Sequence, residues 1–179
     1  MSERSVDFYK NEVDSEAETP ENFPNITILG LAEAYAVFES SEADFGLVSI
    51  QSPDDRVPTF VDDDNPRHLF LSFHDVDRLG PMWVAPSGQH VRAIIKSAQN
   101  ILKADEIICH CFAGVSRSSA TALILASIAG ADEEAAVKEV IRRRKIARPN
   151  RRMLRIADQA LGTQLHSAAV SLVEYTKPE

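Results

Sequence analysis

The sequence predicts an α/β fold in which a central sheet of four to five mostly parallel strands is flanked by helices on both sides. Two observations favour this class. Short apolar runs typical of strands alternate with longer stretches of helical periodicity between residues 26 and 162. The run EIICHC at 106–111 is almost wholly apolar, as expected for a strand that is covered on both faces.

The elements follow from these patterns in chain order. We predict strands over the runs ITIL (26–29), FGLVSI (45–50), HLFLSF (68–73) and EIICHC (106–111). Helices are predicted over 31–40, from the N-cap Ser87 to Leu102, over 118–129, over 132–145 and up to residue 161, the last with Pro149 in its first turn. The proline-containing segment 51–67 and the segment 74–88 are predicted to be loops.

Length and charge bound the organisation of the chain. At 179 residues, with 44% hydrophobic and 26% charged residues, it has the size and composition of one globular domain. Residues 1–65 contain sixteen acidic and three basic residues, whereas residues 138–155 contain nine basic residues and one acidic residue. We expect an acidic, flexible arm over residues 1–22 and a single domain over residues 23–175.

Composition also limits the compartment and the partners. No apolar run approaches the ~20 residues that a membrane helix needs, and we do not expect the acidic N-terminal residues, which lack an apolar stretch, to be a secretory signal. The net charge of −8 disfavours nucleic-acid binding. We therefore expect a cytoplasmic protein that binds neither nucleic acid nor membrane.

The segment HCFAGVSRS at 110–118 lies between the last predicted strand and the next helix. Backbone N–H groups and the helix dipole make such a junction a binding site for phosphate or sulfate. The same field favours the thiolate of Cys111, Arg117 can bind two phosphate oxygens, and Ser118 can donate a hydrogen bond to the sulfur. The predicted phosphate-binding residues are Phe112, Ala113, Gly114, Val115, Ser116 and Arg117.

This segment resembles the Cys-x5-Arg loop of cysteine-dependent protein tyrosine phosphatases, in the HCxAGxSRS form of dual-specificity and small bacterial members. The FHD sequence at 73–75 and the Pro149–Asn150 pair before a late helix extend the resemblance over roughly residues 26–165. It implies a dual-specificity-phosphatase-like fold and hydrolysis of a phosphomonoester, on a protein or another molecule, through a phosphocysteine on Cys111. No metal or other cofactor is implied, and no His/Cys/Asp cluster has the spacing of metal ligands.

The resemblance also implies supporting roles. A general acid is expected some thirty-odd residues before the cysteine, and both Asp75 and Asp77 qualify; the match to FHD favours Asp75, and both can instead be turn-capping residues. His110 is expected to be structural and to orient the cysteine. Asn150 is either a site residue that contacts the loop or a plain helix N-cap.

Two further features stay open. Part of the basic segment is expected to rim the pocket if Asn150 lies near the loop, and the rest is expected to be solvated; the segment comprises Arg142, Arg143, Arg144, Lys145, Arg148, Arg151, Arg152 and Arg155. Cys109 is interpreted as a buried apolar residue, with an oxidative disulfide to Cys111 as the alternative.

Two other functions compete with phosphate hydrolysis. Rhodanese-like sulfurtransferases also place a cysteine on a short anion-binding loop, and a pseudophosphatase would bind phosphate without turnover. Arg117 six residues after Cys111 and the aspartates upstream favour the phosphatase.

Overall fold

A computed structural model describes residues 18–173, which form an α/β fold, so most of the expected N-terminal arm lies outside the described residues. The four strands are β1 (Ile26–Gly30), β2 (Gly46–Gln51), β3 (His68–Ser72) and β4 (Ile107–Cys111). The helices are α1 (Leu31–Ser40), α2 (Gly88–Ile101), α3 (Arg117–Ile128), α4 (Glu133–Arg143), α5 (Arg151–Leu161) and α6 (Leu165–Leu172).

The four strands form one parallel sheet in the order β1-β4-β2-β3. Strand β4 therefore lies inside the sheet, with Gly30 of β1 paired to Cys111 on one side and Ser49 of β2 paired to His110 on the other. The carboxyl ends of all four strands lie at the same edge, where the segments 52–67, 73–87 and 112–116 leave the sheet. The predicted fold class is confirmed.

Hydrophobic residues pack against both faces of the sheet. The larger core covers one face and includes Cys109, Cys111 and apolar residues of α2–α6. On the other face, Ile108 packs with Val37 of α1 and with Phe45. Because side chains alternate along a strand, β4 places its cysteines on one face and His110 on the other.

Most element boundaries differ from the sequence prediction by one or two residues, and the two late helices show the differences that matter for the site and the core. Helix α5 begins at Arg151 with Asn150 as its N-cap, so Pro149 precedes the cap rather than occupying the first turn. Helix α6 was not predicted; it is eight residues long, its N-cap Gln164 makes no side-chain capping bond, and it is stabilised by packing on α4 and α5. Within residues 18–173, no helix has the length and apolar character that crossing a membrane requires.

Candidate active site

Cys111 lies at the carboxyl end of the interior strand β4, and its thiol is almost fully buried at the base of the following loop. Its Sγ lies 3.3 Å from Oγ of Ser118, which is in the first turn of α3. The strand and the helix are both fixed by the core, so the sulfur and the hydroxyl are held together by regular structure. The predicted partners Cys111 and Ser118 thus lie in contact.

The loop over residues 112–116, which we call the anion loop, has carbonyl oxygens that accept hydrogen bonds from neighbouring segments. Leu31 N–H donates to the Phe112 carbonyl at 3.0 Å, and Arg148 N–H donates to the Val115 carbonyl at 2.9 Å. Asn150 N–H donates to the Ser116 carbonyl at 3.1 Å. In contrast, no amide N–H of residues 112–116 has a protein acceptor within the described part of the chain. The anion loop therefore has its acceptors occupied and its donors available to a ligand.

Gly114 allows the anion loop to pack against the end of β1. Its φ is +67°, a left-handed conformation that L side chains rarely adopt. A Cβ at this position would lie 2.5 Å from the backbone nitrogen of Gly30 and 2.6 Å from the carbonyl carbon of Leu29. Glycine is thus required here for two independent reasons.

Arg117 is 4% exposed and is anchored from behind the site. One of its terminal nitrogens donates to the backbone carbonyl of Phe73 at 2.7 Å and lies 3.4 Å from Oγ of Ser52. Its Nε is buried and has no hydrogen-bond partner among the described residues. A buried guanidinium donor without a partner is unfavourable unless a ligand accepts from it, and a phosphate oxygen would do so.

Asp75 contacts the anion loop from the segment after β3. Its Oδ1 accepts hydrogen bonds from Oγ of Ser116 at 2.6 Å and from Nδ2 of Asn150 at 2.9 Å. The side-chain oxygen of Asn150 accepts from Met153 N–H at 3.0 Å and so caps α5. Asn150 therefore acts both as a helix cap and as a contact of the loop and of Asp75.

Asp77 is directed to a different partner. Its carboxylate forms an ion pair with Nε of Arg151 at 2.9 Å and accepts from Arg152 N–H at 3.3 Å, at the N-terminus of α5. It joins the segment after β3 to that helix. Of the two aspartates predicted from the sequence, Asp75 is the one in contact with the anion loop.

His110 and Cys109 are both fully buried within β4, on opposite faces of the sheet. The His110 ring packs edge-on against Phe60, and neither ring nitrogen makes a hydrogen bond of good geometry with the described residues; only the Cys111 backbone is near enough for a poorly aligned one. Burial lowers the pKa of His110 to about 4, so the imidazole is neutral at pH 7. Burial raises the pKa of the Cys109 thiol far above its ordinary range, and both cysteines are free.

Most arginines of the basic segment are engaged by protein groups rather than by solvent. Arg142 and Arg143 both pair with the buried carboxylate of Glu139, at 2.7 and 2.6 Å. Arg152 donates to the carbonyl of Pro86 at 2.7 Å. Arg144 reaches the anion loop itself. Lys145 and Arg155 are exposed, as expected for part of the segment, whereas the partly buried arginines join α4 and α5 to neighbouring parts of the domain.

Two segments that leave this edge of the sheet carry exposed apolar side chains. Phe112 of the anion loop is 65% exposed, and Met82 is 76% exposed. Trp83 packs edge-on against His74, the residue before Asp75, with ring centroids 5.1 Å apart. The segment 74–84 is closed by hydrogen bonds between His74 and Val84. This closure places an aromatic side chain beside the segment that carries Asp75.

Several contacts of the site were not anticipated from the sequence. They are the Ser52 hydroxyl and the Phe73 carbonyl behind Arg117, and the ion pair between Arg144 and Glu33 at 2.9 Å. A contact made by a backbone carbonyl does not depend on residue type, so the contact between Arg117 and Phe73 could not have been predicted from the sequence. Arg144 and Glu33 are 111 positions apart, which no local pattern connects.

Comparison with known proteins adds little to this geometry. No protein-family profile matches the chain, and no curated protein does. Among solved structures that match is OH1 from the Orf virus, described as a tyrosine phosphatase that displays distinct structural features and triple substrate specificity. It is 15% identical over 92% of this chain and 91% of that chain, with a TM-score of 0.38. At these values the likeness says nothing about function, which has to be inferred from this chain's own residues.

Proposed function

We propose that this protein is a cysteine-dependent phosphatase that hydrolyses phosphomonoesters through a phosphocysteine on Cys111. The observation that carries the proposal is the anion loop. Its carbonyl oxygens accept hydrogen bonds from outside, its N–H groups have no acceptor among the described residues, and Cys111 lies at its base. This arrangement supplies several donors to the oxygens of a phosphoryl group beside a nucleophile.

The first step is an in-line attack of the Cys111 thiolate on phosphorus. The S–P bond forms as the P–O bond to the leaving group breaks, and the N–H groups of the anion loop hold the phosphoryl oxygens together with Arg117. The orphaned Nε of Arg117 supports this role. In the second step, water attacks phosphorus and the thiolate leaves, with the Ser118 hydroxyl 3.3 Å away to donate to it.

Asp75 supplies the proton to the leaving oxygen in the first step and accepts one from water in the second. Its Oδ1 is held by Ser116 and Asn150, whereas its Oδ2 accepts no hydrogen bond from the described residues and can carry the proton. The ion pair with Arg151 holds Asp77 at the start of α5. We therefore assign Asp75 as the general acid and Asp77 a structural role.

Turnover of p-nitrophenyl phosphate in reducing buffer with a chelator tests the nucleophile. Cys111→Ser is expected to abolish turnover, whereas the matched control Cys109→Ala should retain it because Cys109 packs in the core. Trapping of a phosphorylated protein at Cys111 by rapid acid quench would identify the intermediate. Activity that survives in Cys111→Ser would contradict the mechanism.

Substrates with different leaving groups test whether Asp75 is the general acid. Asp75→Asn should lower kcat for phenyl phosphate about 100-fold or more, with a smaller effect on p-nitrophenyl phosphate, whose leaving group needs no proton. Asp77→Asn, which breaks one ion pair, should leave this leaving-group dependence unchanged. The reverse pattern would transfer the role to Asp77.

Two other outcomes distinguish the competing functions. Transfer of sulfur from thiosulfate to cyanide without phosphatase activity would identify a rhodanese-like sulfurtransferase. Saturable binding of inorganic phosphate without any turnover would identify a pseudophosphatase module. The physiological substrate would be a phosphorylated protein or another phosphomonoester, and we expect it to be encountered in the cytoplasm.

A further inference from the structure

Arg144 connects the anion loop to the start of α1 through a planar fork of hydrogen bonds. Its Nε donates to the carbonyl of Gly114 at 3.1 Å, and one terminal nitrogen donates to the carbonyl of Ala113 at 3.3 Å. The other terminal nitrogen pairs with Oε1 of Glu33 at 2.9 Å. The second carboxylate oxygen of Glu33 accepts from Gly30 N–H at 2.6 Å. We call Arg144 and Glu33 the loop brace.

The loop brace acts where the anion loop touches the sheet. Gly30 N is the atom that a Cβ on Gly114 would approach to 2.5 Å, so the brace holds both partners of this close contact. Arg142 and Arg143, the two residues immediately before Arg144, pair with Glu139 instead. An arginine of the basic segment therefore does not contact the anion loop merely because it lies near Arg144 in the sequence.

Peptide geometry converts this outer contact into an inner one. The C=O of Ala113 and the N–H of Gly114 belong to the same planar trans peptide and point in opposite directions. The same holds for the C=O of Gly114 and the N–H of Val115. Fixing the two carbonyls on the outside therefore aims two N–H donors at the inside, where the phosphoryl oxygens would lie.

Glu33 has two effects on the fork. Its carboxylate orients the guanidinium by a charge-assisted bond, and it neutralises the positive charge of Arg144. Both side chains are partly buried, with exposed fractions of 17% for Arg144 and 30% for Glu33. An ion pair with this burial is less weakened by solvent than one on the open surface.

We propose that Arg144 and Glu33 are positioning residues that orient the N–H groups of Gly114 and Val115 for phosphate binding. This inference rests on the proposed function, because it assigns the anion loop a phosphate ligand. The contacts of Arg144 are made to backbone carbonyls of the loop and to Glu33 rather than to the side of the loop that would hold phosphate. Both act through the backbone of the loop, so geometry matters more than charge.

Binding of inorganic phosphate, measured by calorimetry and as competitive inhibition of p-nitrophenyl phosphate turnover, tests the brace. Arg144→Met should raise the Ki for phosphate at least about tenfold, because two N–H donors lose their alignment. Arg144→Lys keeps the charge but replaces the fork by a point donor, and it should recover only part of the loss. Glu33→Gln should weaken binding in the same direction, and the double variant should be no worse than Arg144→Met alone.

Arg155→Met is the matched control, since Arg155 lies on α5 and contacts His166 instead of the loop. It should leave the Ki for phosphate unchanged. Circular dichroism and melting temperature identify any variant that fails to fold. If Arg144→Met is unfolded, the phosphate binding of Arg144→Lys and Glu33→Gln tests the proposal instead.

The outcomes separate the two proposals. Failure of the wild type to bind and to hydrolyse would remove the proposed function. A wild type that does both, with folded Arg144→Met binding phosphate as tightly, would overturn the brace alone. Full recovery of binding in Arg144→Lys would overturn its geometric basis.

Discussion

Lowering the pH from 7 to 4.5 should destabilise this protein through the protonation of His110. The side chain is fully buried in β4 against Phe60, and neither ring nitrogen makes a hydrogen bond of good geometry with the described residues. The Cys111 backbone opposes the effect of burial on the pKa, and by less. Burial is the main cause that lowers its pKa from the ordinary 6.5 to about 4. The unfolded chain, in which this ring is hydrated, therefore takes up a proton at a higher pH than the folded chain does.

The direction and size of this change in unfolding free energy follow from the difference in the His110 pKa between the folded and unfolded states. Because the folded pKa is depressed, the contribution of His110 is complete above pH 6.5 and is lost as the pH falls towards 4. A difference of about 2.5 pKa units corresponds to about 3 kcal/mol once both states are protonated. Between pH 7 and 4.5, the free energy of unfolding should fall by about 2 kcal/mol from this group.

Urea unfolding followed by circular dichroism at several pH values measures this loss. His110→Met preserves roughly the side-chain volume and removes the titrating group. Between pH 7 and 4.5, the unfolding free energy of this variant should therefore fall by about 2 kcal/mol less than that of the wild type. His166→Gln is the comparison: burial and the nearby Arg155 also lower the pKa of His166, but this side chain is only partly buried, so its removal should change the pH dependence less than His110→Met does. Equal pH dependence in the wild type and His110→Met would refute the reasoning.

Three further predictions use contacts of the same region. Gly114→Ala should cost more than about 2 kcal/mol in urea unfolding and abolish phosphate binding, whereas Gly162→Ala, also left-handed but with no atom within 4 Å of a Cβ, should cost only about 1 kcal/mol. Gln51→Leu should leave stability unchanged or raise it, because both amide atoms of Gln51 are buried without a partner among the described residues; a loss above about 1 kcal/mol would show that the amide has a partner in solution. Asn150→Ser preserves an N-cap oxygen but removes the Nδ2 donor to Asp75. The free energy of unfolding should therefore change by less than about 1 kcal/mol, while kcat for phenyl phosphate falls several-fold. An unchanged kcat would exclude a role of Asn150 in positioning Asp75.

The sheet was predictable because its strands carry their own signals. The apolar runs before Gly30, Pro53, His74 and the anion loop are dense in Val, Ile, Leu and Phe, and each is bounded by a turn-forming or polar residue. Helix α2 was likewise marked by Ser87, whose side chain caps it as expected. These are local properties, set by residues within one or two turns of each other.

Helix α6 shows where local signals end. Its apolar residues Leu165, Ala168 and Ala169 are buried, but three small or medium side chains over eight residues do not make a decisive period. Its stability derives from the surfaces of α4 and α5, which exist only in the folded domain. The same reason applies to Arg144 and Arg152, whose acceptors Glu33 and the Pro86 carbonyl lie far away along the chain. In contrast, Arg142 and Arg143 pair with Glu139 at the local spacing of a helix.

By itself the sequence determined the strand, loop and helix around Cys111 and the residue types of the anion loop, since these depend on neighbours along the chain. Tertiary structure decided which aspartate meets that loop. Asp75 and Ser116 are 41 positions apart, and they touch because the parallel strands β3 and β4 end at the same edge of the sheet with only β2 between them. Such contacts depend on how the elements pack together, and no periodicity within a single element encodes that.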